Sequence, residues 1–372
     1  MAAVPGGHRL TAATHFSCFL FWFPALPGAA GWQRLCAHEE FHMNEMPMQF
    51  RRQAPEGSEL PLLITPNRPG EGLLDAFGRL RPRIEEALPA VGGVLLRGFD
   101  VPAVETFQQF AAAFGDPLLK YEFASTPRSA VEASTGAGVY TSTEYPAHQT
   151  IPLHNEQAYT REWPMRIWFH CVTAAPEGGE TPIADSRAIY RRMPERIRRL
   201  FEPGVLYVRN FGEMDVPWQK VFNTDRRDAV EAFCAKAGIA WEWKDDGGLR
   251  TRQLCQGIEV HPVTGETVWF NQAHLFHISA RDAEEREVLQ EVLGIDNVPR
   301  NTFFADGSPM PDALMDEVRA VLDAETVSFP WEKGDVVMLD NMLAAHARAP
   351  FKGPRKVVVA MARPHGNLGA GA

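Results

Sequence analysis

Two histidines and one glutamate have the residue types and spacing of a metal site. His154 and Glu156 stand two positions apart in the segment LHNE, and His346 follows an apolar run near the C-terminus. In an extended segment the side chains at positions i and i+2 point to the same side, so an imidazole and a carboxylate can face one ion. Two histidines and one carboxylate on one face of a metal leave the opposite positions open, which is typical of non-haem iron(II) oxygenases.

An arginine beyond the second histidine is placed to hold an anion next to that metal. Arg355 follows His346 by nine residues and opens an apolar segment, 356–362, that is typical of a strand. A guanidinium at a strand start can bind a carboxylate through two parallel hydrogen bonds. Each of these residues alone is more commonly a core histidine or a surface cation. Their occurrence together, in this order, indicates a metal site with a neighbouring anion site.

The elements that must position these residues are mainly short strands. Apolar residues at helical spacing predict helices over 71–88 and 102–114, whereas short apolar runs separated by turn residues dominate after about residue 152. Further helices are predicted over 186–201, 224–237, 282–293 and 311–323, and a strand over 326–329. The expected fold class is mainly β with flanking helices, a double-stranded β-helix (jelly roll), in which strands far apart in the sequence lie side by side.

Composition and charge argue against several other classes of protein. The 37 Lys and Arg against 47 Asp and Glu give a formal net charge of −10 without any basic run, so nucleic acid is not an expected partner. The apolar runs are too short to span a bilayer, so no membrane partner is expected. Five cysteines without a C-x-x-C pair do not predict disulfides or a zinc-thiolate site, and they suit a cytoplasmic protein.

The first 48 residues are expected to lie outside the fold. An apolar run, FSCFLFWF at 16–23, precedes small residues, and Met43, Met46 and Met48 offer later starting points just before the globular pattern begins. We interpret residues 1–48 as an extension that an over-early start codon would explain, with a signal peptide as the alternative. Residues 49–372 then form a single domain.

The sequence resembles the taurine dioxygenase and clavaminate synthase family of Fe(II)- and 2-oxoglutarate-dependent oxygenases, from about residue 89 to residue 364. Within that family it is most similar to hydroxylases of non-ribosomal peptide biosynthesis of the syringomycin type. The matching stretches are YTSTEYP (140–146), IPLHNEQAY (151–159), PEGGETPIADSR (176–187), VWFNQAHLFH (268–277), PRNTFFADG (299–307) and GDVVMLDNMLAAHARAPFKGPRKVVVAMAR (334–363). The resemblance implies a clavaminate synthase-like fold and an enzyme that uses Fe(II), with 2-oxoglutarate and O₂ as co-substrates.

The same resemblance implies a role for each of five residues. His154, Glu156 and His346 match the iron ligands of the family, and Glu156 corresponds to the H-x-E variant of its clavaminate-type members. Thr181 and Arg355 match the residues that bind 2-oxoglutarate.

Hydroxylation of an aliphatic C–H bond is the reaction that the resemblance implies, with desaturation or ring closure as alternatives. An iron halogenase leaves the place of Glu156 open for halide, and taurine-type members have an arginine where this chain has Val359, so neither halogenation nor a sulfonate substrate is expected. The implied substrate is an amino acid or aminoacyl-type small molecule of secondary metabolism, free or tethered to a carrier protein. The residues expected to line its pocket are Asn155, Arg209, Asn271, Gln272 and His274.

Two other interpretations of the residues stay open. A metal-binding jelly roll without oxygenase activity would use His154, Glu156 and His346 for structure or for zinc, and a non-catalytic interaction domain would contain them by coincidence. The combination of Thr181 with Arg355 argues against the first, because a structural metal would not need these two residues. The second predicts that His154→Ala leaves the metal content unchanged. The sequence does not predict an oligomeric state.

Overall fold

A computed structural model describes residues 53–119, 138–142, 145–212 and 216–366, all of which fall within one compact unit. The predicted extension over residues 1–48 lies outside the described residues. Within the described ranges no helix is long and apolar enough to cross a bilayer.

Strands make up most of the regular structure around the candidate ligands. In chain order they are β1 (Leu62–Ile64), β2 (Gly93–Leu96), β3 (Val139–Thr141), β4 (Ile151–His154), β5 (Glu162–Thr173), β6 (Glu177–Gly178), β7 (Ile183–Asp185), β8 (Val205–Phe211), β9 (Ala240–Trp243), β10 (Leu249–Cys255), β11 (Ile258–Val260), β12 (Thr267–Trp269), β13 (Arg300–Phe304), β14 (Val336–Asp340), β15 (Ala344–Arg348), β16 (Phe351–Lys352) and β17 (Lys356–Gly366).

Helices lie between the strands and against the sheets. They are α1 (Phe77–Val91), α2 (Val104–Ala112), α3 (Ser186–Arg192), α4 (Glu195–Phe201), α5 (Trp218–Val221), α6 (Arg227–Ala237), α7 (Ala273–Phe276), α8 (Ala283–Leu293) and α9 (Asp312–Ala324), with short 3₁₀ turns at Ile278–Ala280 and Ile295–Asn297. The predicted mainly β fold with flanking helices agrees with this sheet-rich arrangement.

The largest sheet has the strand order β1-β2-β14-β5-β17-β3, in which β1 and β2 are parallel and the other neighbours antiparallel. Its side chains alternate between two apolar layers, as the two-residue period of a strand requires. Along β5, Trp168 packs into the layer that α1 and α2 cover, while Phe169 packs on the opposite face. Along β14, Met338 and Val337 divide between the same two layers. The face that carries Phe169 is the one on which the candidate site lies.

A three-stranded sheet, β4-β15-β7, lies over that second layer and contains the two candidate histidine ligands. Its middle strand, β15, is antiparallel to both neighbours and is buried along its whole length. Ile183 of β7 shares an apolar cluster with Phe169 and Val337, so the small sheet packs directly on the large one. A further sheet, β13-β8-β10-β9, carries Arg209.

Three element predictions differ from the structure. The helix predicted over 186–201 is two helices, α3 and α4, because Pro194 between them has no N–H to continue the hydrogen bonding. The helix predicted over 71–88 begins later and ends later, at Gly92 in the left-handed conformation. The strand predicted over 326–329 makes only isolated bridges, at Val327 and Ser328.

Candidate metal centre

The two predicted histidine ligands face each other across neighbouring strands. His154 at the end of β4 is the direct pairing partner of His346 in β15, and their ring centroids are 4.4 Å apart. The register shifts before the next pair, Arg348 with Ile151, so β4 contains one extra residue there. Such a bulge re-aims the following side chain, here that of His154.

The backbone at the bulge also fixes the tautomer of His154. Nδ1 of His154 lies 2.8 Å from the carbonyl oxygen of Pro152. A carbonyl can only accept a hydrogen bond, so Nδ1 carries the proton and the lone pair of the neutral ring is on Nε2. Metal-binding histidines commonly use one ring nitrogen as donor to a carbonyl in this way, which orients the ring and leaves the other nitrogen for the metal.

Glu156 completes the group from a turn rather than from the strand itself. β4 ends at His154, and the chain turns over the following residues with Gln157 in the left-handed conformation, at φ 57°. Glu156 is 3% exposed, and its Oε2 is 3.7 Å from Nε2 of His346. One donor atom from each of the three residues lies within 4.8 Å of the others. A buried carboxylate beside two imidazoles is the donor set of the two-histidine, one-carboxylate metal centre.

Asn341 holds the turn that presents Glu156. Its side-chain oxygen accepts a hydrogen bond from the backbone N–H of Glu156 at 2.7 Å, and its amide nitrogen donates to the carbonyls of Glu156 and Pro164 at 2.9 and 2.8 Å. Asn341 is fully buried and lies in the turn between β14 and β15. The segment that leads to His346 therefore also fixes the backbone of the candidate carboxylate ligand.

Two more buried side chains hold the backbone on either side of His154. Nε2 of His274 donates to the carbonyl of Leu153 at 2.8 Å, and the amide of Gln272 donates to the carbonyl of Asn155 at 2.7 Å. Burial lowers the pKa of His274 to about 4, so this ring is neutral at physiological pH. The amide of Asn155 in turn donates to the carbonyl of Asn341 at 2.7 Å.

A narrow cavity connects the histidines with the predicted anion-binding residues. His154, His346, Thr181 and Arg355 all line it. The guanidinium of Arg355 donates to the carbonyl of Gly179 at 2.8 Å, and it lies 3.5 Å from the hydroxyl of Thr181. Among the described residues, no carboxylate forms an ion pair with Arg355. The charge of Glu180 raises the pKa of Arg355 from further away.

The contacts of Arg355 and Thr181 suit an anion in this cavity. Burial, and then the nearby charge of Arg348, lowers the pKa of Arg355 to about 10, so the guanidinium remains charged at neutral pH. The hydroxyl oxygen of Thr181 accepts a hydrogen bond from the indole N–H of Trp331 at 3.0 Å, which leaves its own proton to donate elsewhere. A buried cation beside an oriented hydroxyl donor is a site for a carboxylate.

The predicted substrate residues are not among those that line this cavity. The amide of Asn271 donates to the carbonyl of Gly257 at 2.6 Å. The guanidinium of Arg209 is buried on β8 and lies over the ring of Phe211 at 4.5 Å. Asn155, Gln272 and His274 bond to the backbone around the ligands, as described above, and their assignment to a substrate stays a prediction.

Several residues of the site have no signal in the sequence. Asn341 has a partial signal, because the pair Asp340-Asn341 predicts a turn shortly before His346. Trp331 and Ser142 reach the site only through tertiary structure, because Thr181 and Arg355, which they contact, lie far away from them along the chain.

Comparison with known proteins decides the family. The model of the "Taurine catabolism dioxygenase TauD, TfdA family" matches residues 65–361. The chain belongs to this family. The resemblance seen in the sequence is thereby confirmed at the level of the family, and the protein is a dioxygenase. The finer likeness to syringomycin-type hydroxylases stays a prediction.

Two curated relatives are similar to this TauD/TfdA dioxygenase in sequence, and one solved structure is similar to it in fold. The "Dapdiamide synthesis protein DdaC" of Enterobacter agglomerans is 40% identical over 293 residues, covering 78% of this chain and 88% of DdaC. A clavaminate synthase-like protein of Arabidopsis thaliana is 33% identical over 293 residues, covering 75% of this chain and 84% of its own. The crystal structure of PvcB from Pseudomonas aeruginosa is similar in fold, with a TM-score of 0.50 and 17% identity over 86% of this chain and 95% of PvcB.

The hydrogen bonds of Asn341 lead to a first prediction. We expect Asn341→Ala to weaken Fe(II) binding about 10- to 100-fold, because it releases the backbone of Glu156 from both sides. The affinity is measured anaerobically by competition with a chelator whose affinity for Fe(II) is known. Asn297→Ala, which removes an exposed amide from the surface, should leave it unchanged. Unaltered Fe(II) affinity in Asn341→Ala would show that Glu156 is positioned without this clamp.

The buried His274 gives a prediction about pH. Its pKa in the folded state is below the ordinary value, so the unfolded chain binds the proton more strongly, and stability is lost as the pH falls from about 6.5 towards 4. We expect the metal-free protein to lose about 2 kcal/mol more unfolding free energy than His274→Gln between pH 7.5 and 5.

Urea denaturation of both proteins at the two pH values measures this difference. The exposed His148→Gln serves as control and should follow the parent protein. Equal losses in the parent and in His274→Gln would mean that the imidazole of His274 is protonated in the folded state as easily as in the unfolded chain.

Proposed function

We propose that this protein is an Fe(II)- and 2-oxoglutarate-dependent dioxygenase that hydroxylates an aliphatic C–H bond of an amino acid or aminoacyl-type small molecule. The observation that carries the proposal is that the cavity lined by His154 and His346 also contains Arg355 and Thr181. A site for one metal and a site for one anion thus share a single space. We further propose that the stacked sheets form a jelly roll and that residues 49–372 are one catalytic domain.

The residues present fit a divalent iron ion. His154, Glu156 and His346 supply two nitrogen donors and one oxygen donor that lie within 4.8 Å of one another, so small side-chain movements bring all three to one ion. Three protein ligands on one side leave further coordination positions for small molecules. Nδ1 of His154 is held by the carbonyl of Pro152, so the ring already presents Nε2 to the metal.

The residues around Arg355 fit the co-substrate. Its guanidinium and the hydroxyl of Thr181 would hold the carboxylate of 2-oxoglutarate that is remote from the metal. When iron, 2-oxoglutarate and O₂ are bound together, they supply the oxidising power that breaks a C–H bond, and 2-oxoglutarate is converted to succinate and CO₂. The chain contributes the ligands, the orientation of the two bound molecules and their burial.

Two residues argue against halogenation and against a sulfonate substrate. Glu156 is buried at the ligand position that a halogenase would leave to halide. Val359, where taurine-type relatives have an arginine, is fully buried in the apolar layer between the sheets. A sulfonate-binding cation is thus missing at that position, and an amino acid fits better than a taurine-like substrate.

The class of substrate rests on the relatives and on charge. DdaC is named for dapdiamide synthesis, and this name supports a substrate from amino-acid-related secondary metabolism. A formal net charge of −10 does not favour docking of an acidic carrier protein, so we propose a free rather than a tethered substrate. Candidate contacts remain those predicted from the sequence, of which Arg209 is the cationic one.

An anaerobic titration tests the proposal without knowledge of the substrate. Addition of 2-oxoglutarate to the Fe(II)-loaded protein should produce a weak visible charge-transfer band, because the 2-oxo acid chelates the iron. We expect His154→Ala to abolish the band and Arg355→Gln to raise the dissociation constant of 2-oxoglutarate about 100-fold, since it removes a buried charged donor from the carboxylate.

Two control variants accompany this titration. Arg199→Gln removes an exposed arginine from α4, and His365→Ala removes an exposed histidine from the end of β17, so both should keep the band and the affinity. Bound iron without a band would favour a metal-binding protein that lacks oxygenase activity. Iron content that does not change in His154→Ala would remove the proposed ligand set altogether.

A further inference from the structure

A second buried arginine lies beside the metal centre, and the family resemblance gives it no role. Arg348 follows His346 by two residues in β15, so its side chain leaves the strand on the same face as that ligand. It is 6% exposed and lines the same cavity as His346 and Arg355. The cavity therefore has two guanidinium groups in its wall.

Part of the guanidinium of Arg348 is satisfied by one segment of backbone. Its two terminal nitrogens donate to the carbonyls of Tyr145, Pro146 and Gln149 at 2.9, 2.7 and 2.8 Å. Nε is buried and has no hydrogen-bond partner in the described part of the chain. Carbonyl groups solvate a cation without neutralising it, so the positive charge of Arg348 is left without a counter-ion from the described residues.

The positive charges of Arg348 and Arg355 repel each other. After burial, the charge of Arg348 is the next largest cause that lowers the pKa of Arg355 to about 10. Neither forms an ion pair with a carboxylate among the described residues. Two like charges in one buried wall repel each other, and a negatively charged molecule in the cavity would relieve this repulsion in proportion to its own charge.

We propose that Arg348 is a specificity-determining residue of the co-substrate pocket, whose charge adds to that of Arg355 and selects a dicarboxylate over 2-oxo acids with a single carboxylate. The inference rests on the proposed function, since it assumes that 2-oxoglutarate occupies this cavity. It assigns Arg348 an electrostatic role and leaves the direct hydrogen bonds to Arg355 and Thr181. The competing explanation is that Arg348 only anchors the segment 145–149.

A pair of variants separates charge from anchoring. Arg348→Lys keeps the charge and loses the planar set of donors that reaches three carbonyls, whereas Arg348→Gln loses both. The dissociation constants of 2-oxoglutarate and of 2-oxopentanoate, which lacks the second carboxylate, are measured anaerobically on the Fe(II)-loaded proteins. We expect the preference for 2-oxoglutarate to fall about tenfold in Arg348→Gln and less than about threefold in Arg348→Lys.

A second pair tests the charge while Arg348 stays in place. Ile151 is the pairing partner of Arg348 in β4, is half-buried and lines the same cavity. Ile151→Glu places a carboxylate opposite the guanidinium, and Ile151→Gln is the matched neutral change. We expect Ile151→Glu to lower the preference for 2-oxoglutarate about tenfold relative to Ile151→Gln, even if Arg348→Gln does not fold.

A further variant tests the anchoring explanation by itself. Pro146→Gly loosens the anchored segment without a change in charge, and under the proposal it leaves the preference between the two acids unchanged. An equal preference in Arg348→Gln and the parent, or in Ile151→Glu and Ile151→Gln, would overturn the electrostatic role. Failure of the parent protein to bind 2-oxoglutarate at all would instead overturn the proposed function.

Discussion

The pairing of β4 with β15 is the interaction on which the rest of the site depends. It places His154 directly opposite His346, although 192 positions separate them in the chain, and the extra residue in β4 re-aims the first ring. The turn that precedes β15 then fixes the third candidate ligand, because Asn341 binds both the N–H and the carbonyl of Glu156. Each such buried hydrogen bond contributes about 1 kcal/mol, and together they hold the carboxylate where the strand alone would not.

Charge is the second constraint on the site. The candidate metal centre gathers a buried carboxylate and two imidazoles, and the cavity that its two histidines line also contains the side chains of Arg355 and Arg348. Groups of one sign kept apart inside a protein cost stability unless a partner of opposite charge is bound. A divalent cation between the three candidate ligands and a dicarboxylate beside the two arginines would offset both costs. The arrangement is thus explained better by two bound partners than by the packing of the chain alone.

The sequence predicts which candidate ligands lie together better than it predicts the residues that position them. The order H-x-E, then a distant histidine and an arginine nine residues later is sufficient to predict the group that the structure brings together at His154, Glu156 and His346. The division of the helix over 186–201 could also have been predicted, because proline ends helical hydrogen bonding. The role of Asn341 could not, since it depends on contact with a residue 185 positions away. Nor could the proposed role of Arg348, which depends on the lack of a carboxylate partner for its charge among the described residues.

Anomalous diffraction from crystals grown without oxygen in the presence of Mn(II) tests the central claim most directly. Data collected at the manganese absorption edge locate the ion independently of any assumption about the protein. The account predicts one strong peak per chain, within about 2.2 Å of a nitrogen of His154, a nitrogen of His346 and an oxygen of Glu156. A peak at another site, or one bound by only one of these three residues, would contradict it.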